Sequence, residues 1–386
     1  MEAAPHELTH SSKESRPIVR TNGGIVFCSE GNDARNAYHP SLTVLSAHEW
    51  LVTFDLGTST ESLDYETRAI RSLDRGDTWH LEGSLVTKPD GNPTTHTIRT
   101  RGLGGPRVLG FGKWEERKGY ETQRSNRDTL GQVPMRLFWI ESDDGGRNWS
   151  MPRWIDPPMV GPTWELCHPI IELPNKDWAA PVATWRGWGG ELPNGELTGL
   201  LVSTDRGATW PKFVPSFDGR GTGFIHWEQS IVPRRDGTLL ATAWVYDPAS
   251  KATLPSNFAV SKDGGGSFET SKATGFLAQT CKILELKSGL IVAAYRRHDQ
   301  PGLWVELAEV NEKGWRTLRR GLLWGDAGSG MTGKSSTSEE LNALRFGYPS
   351  LSEVDTDQVL LVFWGTHGDR TAIHWRRFAV EDVPAA

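Results

Sequence analysis

The chain has 386 residues, among them 42 Gly, 23 Pro and 18 Trp, with a formal net charge of −6 and no Lys/Arg-rich run, which argues against a phosphate-backbone binder. Its three cysteines, Cys28, Cys167 and Cys281, are too widely spaced for a disulfide framework or a metal knuckle and read as buried thiols. The Gly, Pro and Trp content suits many short strands joined by turns, with large aromatics filling the gaps between sheets.

In chain order, residues 1–17 form a polar stretch expected to be a disordered tail, and residues 18–382 are expected to form one domain. The opening MEAAPHELTHSSKESRP has no apolar h-region, and no window approaches 18 apolar residues. Neither signal peptide nor membrane span is expected, and a cytoplasmic address follows by default. From Ala37 the chain gives a first pair of apolar strands, AYHPSLTVL and EWLVTFDLG, and then ETRAIRS runs into SLDRGDTW at Ser72. This Ser-x-Asp-x-Gly-x-x-Trp pattern returns as SDDGGRNW at Ser142, STDRGATW at Ser203 and, with Phe for Trp, SKDGGGSF at Ser261. The spacing of roughly 60 residues marks an array or a propeller. Each copy reads as a hairpin turn in which Asp bonds local N–H groups, Gly takes positive φ and the aromatic drops back onto the sheet, a structural role.

Further strand pairs follow: THTIRTRGL with PRVLGFGKW near Thr95, WELCHPIIELP with WAAPVATWRGW from Trp164, and IHWEQSIVP with TLLATAWVYD from Ile225. LAQTCKILEL with GLIVAAYRRH from Leu277 and FGYPSLSEV with QVLLVFWGTH from Phe346 complete six units. The sixth is one strand short, so PIVRTNGGIVFCS at the N-terminus is expected to complete it and close the ring, which removes the exposed edges of an open array. Residues 119–134 and 322–345 fall outside the frame and read as surface loops able to carry binding groups, with a single helical turn expected at SEELNAL. The fold class predicted is therefore all-β, a six-bladed propeller of four-stranded antiparallel blades.

Two further segments bear on chemistry: GYPSL from Gly347 and HWEQSIVPRRDGTLL from His226. Together with the four turns, which match Asp boxes, and the six units, they resemble the sialidase superfamily over about residues 20–380. The resemblance implies Tyr348 as a nucleophile activated by Glu228, an accepted exception to the two-carboxylate rule for glycosidases. It also implies an acid/base carboxyl in the loop FDLGTSTESLDYETR, where Asp64 and Asp55 are the candidates and Glu61 lies between them. The arginine cluster departs from the family: Tyr38-His39-Pro40-Ser41 stands where the family has Arg-Ile-Pro, and Trp244 stands at the next arginine position. Arg296 and Arg297 can supply a cation from the fifth unit, since guanidinium forks hold carboxylates by paired, charge-assisted bonds.

In place of the missing arginines, His39, His168 and His226 lie near the starts of inner strands with Glu165 and Glu228 beside them. Arg186, Tyr246, His298 and His367 lie at the ends of second strands, and strand starts and ends of this kind can converge on one propeller face. Trp185, Trp227, Trp244 and Trp364 are candidates for stacking on sugars or for core plugs. The histidines lack short local spacing, so no metal or other cofactor is expected. The leading function is an exo-acting, sialidase-like glycoside hydrolase or glycan-processing enzyme for an acidic or modified sugar, using Tyr348, Glu228, Asp64 or Asp55, and an anion clamp of Arg296, Arg297 and Arg186. One alternative is a polysaccharide lyase with His39, His168 or Tyr348 as base and acid; another is a propeller that binds a glycan or protein without turnover. The expected partner is a carbohydrate, with neither nucleic acid nor membrane.

Overall fold

The computed structural model describes residues 16–88, 91–161, 163–166, 168–297, 299–325 and 345–386. It is built almost wholly of antiparallel strands in six sheets, each the blade of a propeller. N-terminal strand β1 (Asn22–Phe27) is followed by the first blade, β2 (Asn36–Val44), β3 (Trp50–Gly57), β4 (Glu66–Ser72) and β5 (His80–Ser84). The second is β6 (Thr94–Gly102), β7 (Val108–Glu116), β8 (Met135–Ser142) and β9 (Arg153–Ile155). In the third, the innermost position is shared by β10 (Thr163–Glu165) and β11 (Ile171–Glu172), both paired with β12 (Trp178–Trp185), followed by β13 (Leu197–Ser203) and β14 (Lys212–Asp218). The gap between β10 and β11 lies opposite Pro181, a position with no N–H to offer a neighbouring strand.

The fourth blade is β15 (Ile225–Pro233), β16 (Leu239–Asp247), β17 (Ala252–Ser261) and β18 (Lys272–Ala273), and the fifth is β19 (Gln279–Glu285), β20 (Ile291–Arg296), β21 (Leu303–Asn311) and β22 (Gly314–Trp324). In the sixth, β23 (Phe346–Asp355), β24 (Gln358–His367) and β25 (Arg370–Ala379) are joined by β1, which pairs with β25 as the outermost strand. The N-terminal segment thus closes the ring as the sequence predicts. One stretch predicted as loop is partly strand, since β22 continues through Trp324; the predicted turn at SEELNAL lies outside the described residues. No helix among the described residues is long and apolar enough to cross a membrane.

The four repeated turns join third strand to fourth in the first four blades. In each, the Ser hydroxyl bonds the Asp and accepts the Gly N–H, as Ser203 Oγ does from Gly207 at 2.7 Å, while Asp205 takes both the N–H and the hydroxyl of Thr209. Gly207 needs to be glycine twice over: its φ is +89°, and a Cβ would come 2.7 Å from Trp139 of the neighbouring blade. Hydrogen bonds from Thr209 hold the Asp205 carboxyl down at about 2.

The apolar residues fall into six large clusters, one at each interface between neighbouring blades, such as Trp50, Val52 and Phe54 against Leu360, Val362 and Trp364. Alternating side chains on each strand face the blade on either side, so every sheet is buried on both faces. Cys281 lies in one such cluster, where burial pushes its thiol up to about 12, whereas Cys28 is only half-buried. Cys167 lies outside the described residues.

Candidate active site

Four innermost strands carry the same irregularity near their starts. The register of β2, β15, β19 and β23 against its second strand slips by a bulge, and the first residue inside each bulge is left-handed: His39 (φ 48°), Glu228 (53°), Thr280 (50°) and Tyr348 (52°). None is glycine, so each carries strain of order 1–3 kcal/mol, a pattern that clusters at functional sites. The bulge re-aims a side chain that regular alternation would bury between blades. All four residues line one cavity of about 700 Å³ at the strand-start end of the ring.

Tyr348 is buried, and its hydroxyl accepts a hydrogen bond from Arg99 Nε at 3.0 Å. Arg99, in the middle of β6, also reaches Asp55 with both terminal nitrogens, at 3.3 and 3.0 Å. Asp55 ends up with no exposed surface, taking further bonds from Thr67 Oγ1 (2.7 Å) and Tyr65 Oη (3.3 Å). Burial alone would raise its carboxyl, but Arg99 and then His39 hold it well below the carboxylate range. His39 Nδ1 lies 3.2 Å from Asp55 and 3.0 Å from Tyr65 Oη. Since an ionised Asp55 can only accept, Nδ1 is assigned the proton, and Nε2 keeps a lone pair. Burial, offset in part by Asp55, keeps the imidazole below its ordinary value and hence neutral near pH 7. The His39 ring meets the Tyr348 ring edge-on at 5.1 Å between centroids.

Across the cavity, Glu228 accepts the Thr280 hydroxyl at 2.6 Å, and its own N–H is taken by Glu165 at 3.1 Å. Arg296, 3% exposed, is tied by Nη1 to the Phe346 carbonyl at 3.0 Å and by Nε to Gln279 at 3.3 Å, within the field of Glu228. Its guanidinium lies against Gly347, where any side chain would collide with it. Three more guanidiniums, Arg127, Arg345 and Arg370, line the cavity, against the carboxylates of Glu61, Glu228 and Asp369.

The loop after β3 reaches the cavity because the second blade clamps it. Arg117 donates to the Glu61 carbonyl (2.6 Å), Arg124 Nη1 to Thr60 O (3.2 Å), and the Arg124 N–H to the Glu61 carboxylate (2.6 Å). Of the loop's two carboxyls, Glu61 lines the cavity. Asp64 instead accepts the Thr58 N–H and hydroxyl and fastens the loop to itself. The 119–134 stretch adds Gln123, Ser125, Arg127 and Gln132 to the wall.

The structure thus brings His39, Glu228, Arg296 and Tyr348 to one cavity, with Asp55 and Glu165 directly behind. Trp364 aside, the other candidate residues lie elsewhere. Arg297 pairs with Asp299 and Arg186 with Glu196, each over a Trp ring. Trp244 and Tyr246 pack with Trp227 and Trp185 in a small aromatic cluster. His226 stacks on Phe217, where burial lowers it to about 4, and His367 stands exposed at the end of β24. His168 lies deeper along the axis, and His298 is outside the described residues. Of the four tryptophans singled out, Trp364 lines the cavity. Arg99 carries one signal in the sequence: Arg99 and Arg101 alternate on an inner strand, placing two cations on the face toward the axis. Among the described residues no group of His, Cys, Asp and Glu is arranged to hold a metal.

No family model and no curated protein sequence matches the chain. Solved structures do resemble it. A protein of unknown function from Dyadobacter fermentans superposes with a TM-score of 0.68 at 18% identity, covering 92% of this chain and 98% of the other. The Trypanosoma rangeli sialidase in complex with the inhibitor DANA gives 0.62 at 14% identity, covering 94% of this chain and 60% of that one. The intramolecular trans-sialidase of Ruminococcus gnavus, in complex with oseltamivir carboxylate, gives 0.62 at 11% identity, covering 91% and 96%. Identities this low speak to architecture, and in architecture the chain is a six-bladed β-propeller of sialidase-like fold.

Proposed function

We propose that this propeller is a glycan-processing enzyme, a retaining exo-glycosidase for a sugar bearing a carboxylate. The observation that carries the reading is Tyr348, its hydroxyl held by Arg99, lining the same cavity as Glu228 and the buried Arg296. Glu228 accepts the phenolic proton as Tyr348 Oη bonds to the anomeric carbon, and the bond to the leaving oxygen breaks. Arg99 stabilises negative charge on that oxygen before attack. Arg296, with Arg345 and Arg370, holds the sugar carboxylate. Glu61 stands at the cavity from the loop where a general acid is needed, and it protonates the leaving oxygen; a water then attacks the glycosyl-tyrosine to release the sugar. Asp55 acts behind the wall, orienting Arg99 and His39.

One observation favours a second reading. A neutral His39 with Nδ1 on Asp55 and a free Nε2 is arranged as a general base, and with Tyr348 as proton donor it suits a lyase acting beside a uronate carboxylate. Turnover assays on aryl glycosides of sialic and uronic acids, and on uronate-containing oligosaccharides, separate the two. A saturated acidic sugar supports the glycosidase, an unsaturated uronate seen by far-ultraviolet absorbance supports the lyase, and binding without product on such a panel defeats both. Tyr348→Phe is expected to lose at least about a thousandfold in kcat. Full activity in that variant removes Tyr348 from the chemistry.

A further inference from the structure

Deeper along the inner strands, beyond Tyr348, the ring encloses a second cavity of about 250 Å³. Residues two apart on each strand face it, as the period of a strand requires: Ser41 and Thr43 on β2, Arg99 and Arg101 on β6, Ser350 and Ser352 on β23. Its wall carries three cations, Arg99, Arg101 and Lys282, and among the described residues not one Asp or Glu. Arg99 is balanced by Asp55. Arg101 has neither a hydrogen-bond acceptor nor a charge partner among the described residues, and burial alone acts on it. His168, on the same wall, feels the positive fields of Lys282 and Arg101 in addition to its burial and is neutral.

Hydroxyls on the wall keep hydrogens to donate. Ser230 Oγ accepts the Ile283 N–H at 3.1 Å and Ser350 Oγ the Leu42 N–H at 3.0 Å, so each keeps its own hydrogen to give. Thr43 Oγ1 is buried with no partner among the described residues. A half-buried guanidinium is held partly out of water, and nothing else on this wall neutralises it. An oxyanion can, because it accepts from several directions at once and matches the guanidinium fork.

We propose that this axial chamber binds a small inorganic oxyanion of the phosphate or sulfate kind, held by Arg101 and Lys282 and by the hydroxyls of Thr43, Ser230 and Ser350. The site joins inner strands from five blades, so its occupant ties the ring together at its centre. It does not depend on the reaction assigned to the neighbouring cavity.

The test is thermal unfolding of the full chain in a buffer whose only anion is chloride, titrated with sodium phosphate or sodium sulfate at constant ionic strength, beside calorimetric titration. The wild type is expected to show one-site heat and a Tm rising about 2 °C per tenfold increase in oxyanion above Kd. Arg101→Gln, which removes the uncompensated charge, is expected to match or exceed the wild-type Tm in chloride. It should lose the one-site heat and keep only the general salting-out rise. Thr43→Val, which leaves the charges in place, is expected to bind about tenfold more weakly. Equal Tm rises in wild type and Arg101→Gln overturn the proposal, as does absence of one-site heat in the wild type. If Arg101→Gln does not fold, unchanged affinity in Thr43→Val overturns it. Saturation by chloride alone, with no further response to phosphate or sulfate, overturns the oxyanion assignment.

Discussion

Asp55 joins the first two blades through a single carboxylate that Arg99, His39, Thr67 and Tyr65 all approach. Replacing it by Asn leaves the Arg99 guanidinium buried without its counter-charge, and breaking a buried pair in this way costs about 3–5 kcal/mol. Urea unfolding of Asp55→Asn at pH 7 checks the figure. The pH dependence has a definite sign. Because the Asp55 carboxyl is held below its ordinary value near ~3.9, its contribution is whole at neutral pH and is lost only as pH falls through its folded value. The wild-type advantage over Asp55→Asn should therefore be flat from pH 7 to pH 5 and shrink in strong acid. An advantage that grows on acidification would contradict the ion pair. The proposed reaction offers an independent readout: the methyl of Gly347→Ala collides with Arg296, and the variant should raise KM for a carboxylated sugar by tenfold or more while sparing a neutral analogue.

Strands and turns differ in how openly the sequence displays them. The four Ser-x-Asp-x-Gly turns were legible because every contact that shapes them lies within four residues, as Ser203 to Gly207 and Asp205 to Thr209 illustrate. Gly207→Ala should cost about 1–3 kcal/mol in a thermal or urea melt, since it forces an L-residue to φ +89° and drives a methyl into Trp139. Tyr348 and Glu228 were legible as positions at strand starts, but the left-handed bulges that turn them into the cavity were not. A bulge depends on two strands sliding past one another, and no single stretch of residues carries that information. Arg99 stayed hidden for a similar reason: its partners, Asp55 and Tyr348, lie 44 and 249 residues away in the chain. Trp244 and Tyr246 show the converse, being polar-tipped aromatics at strand ends whose faces are taken up by Trp227 rather than left for a sugar.

The molecule as a whole depends on a strand borrowed from the far end of the chain. Without β1, strand β25 would present a bare edge and the cluster containing Val26 would lose one wall. A chain beginning at Glu30 should accordingly aggregate or elute as oligomers on size exclusion, and a synthetic peptide of residues 16–29 added in trans should restore monomer. Monomeric, fully stable protein without the peptide would show that closure matters little. The repeated bulge at His39, Glu228, Thr280 and Tyr348 has a consequence of a different kind. Four blades hold an identical socket at one mouth, and in each the backbone strain is set by the bulge rather than by the residue it carries. Such sockets are interchangeable hardware: exchanging their side chains reprograms the chemistry at the mouth while the ring that presents them stays the same.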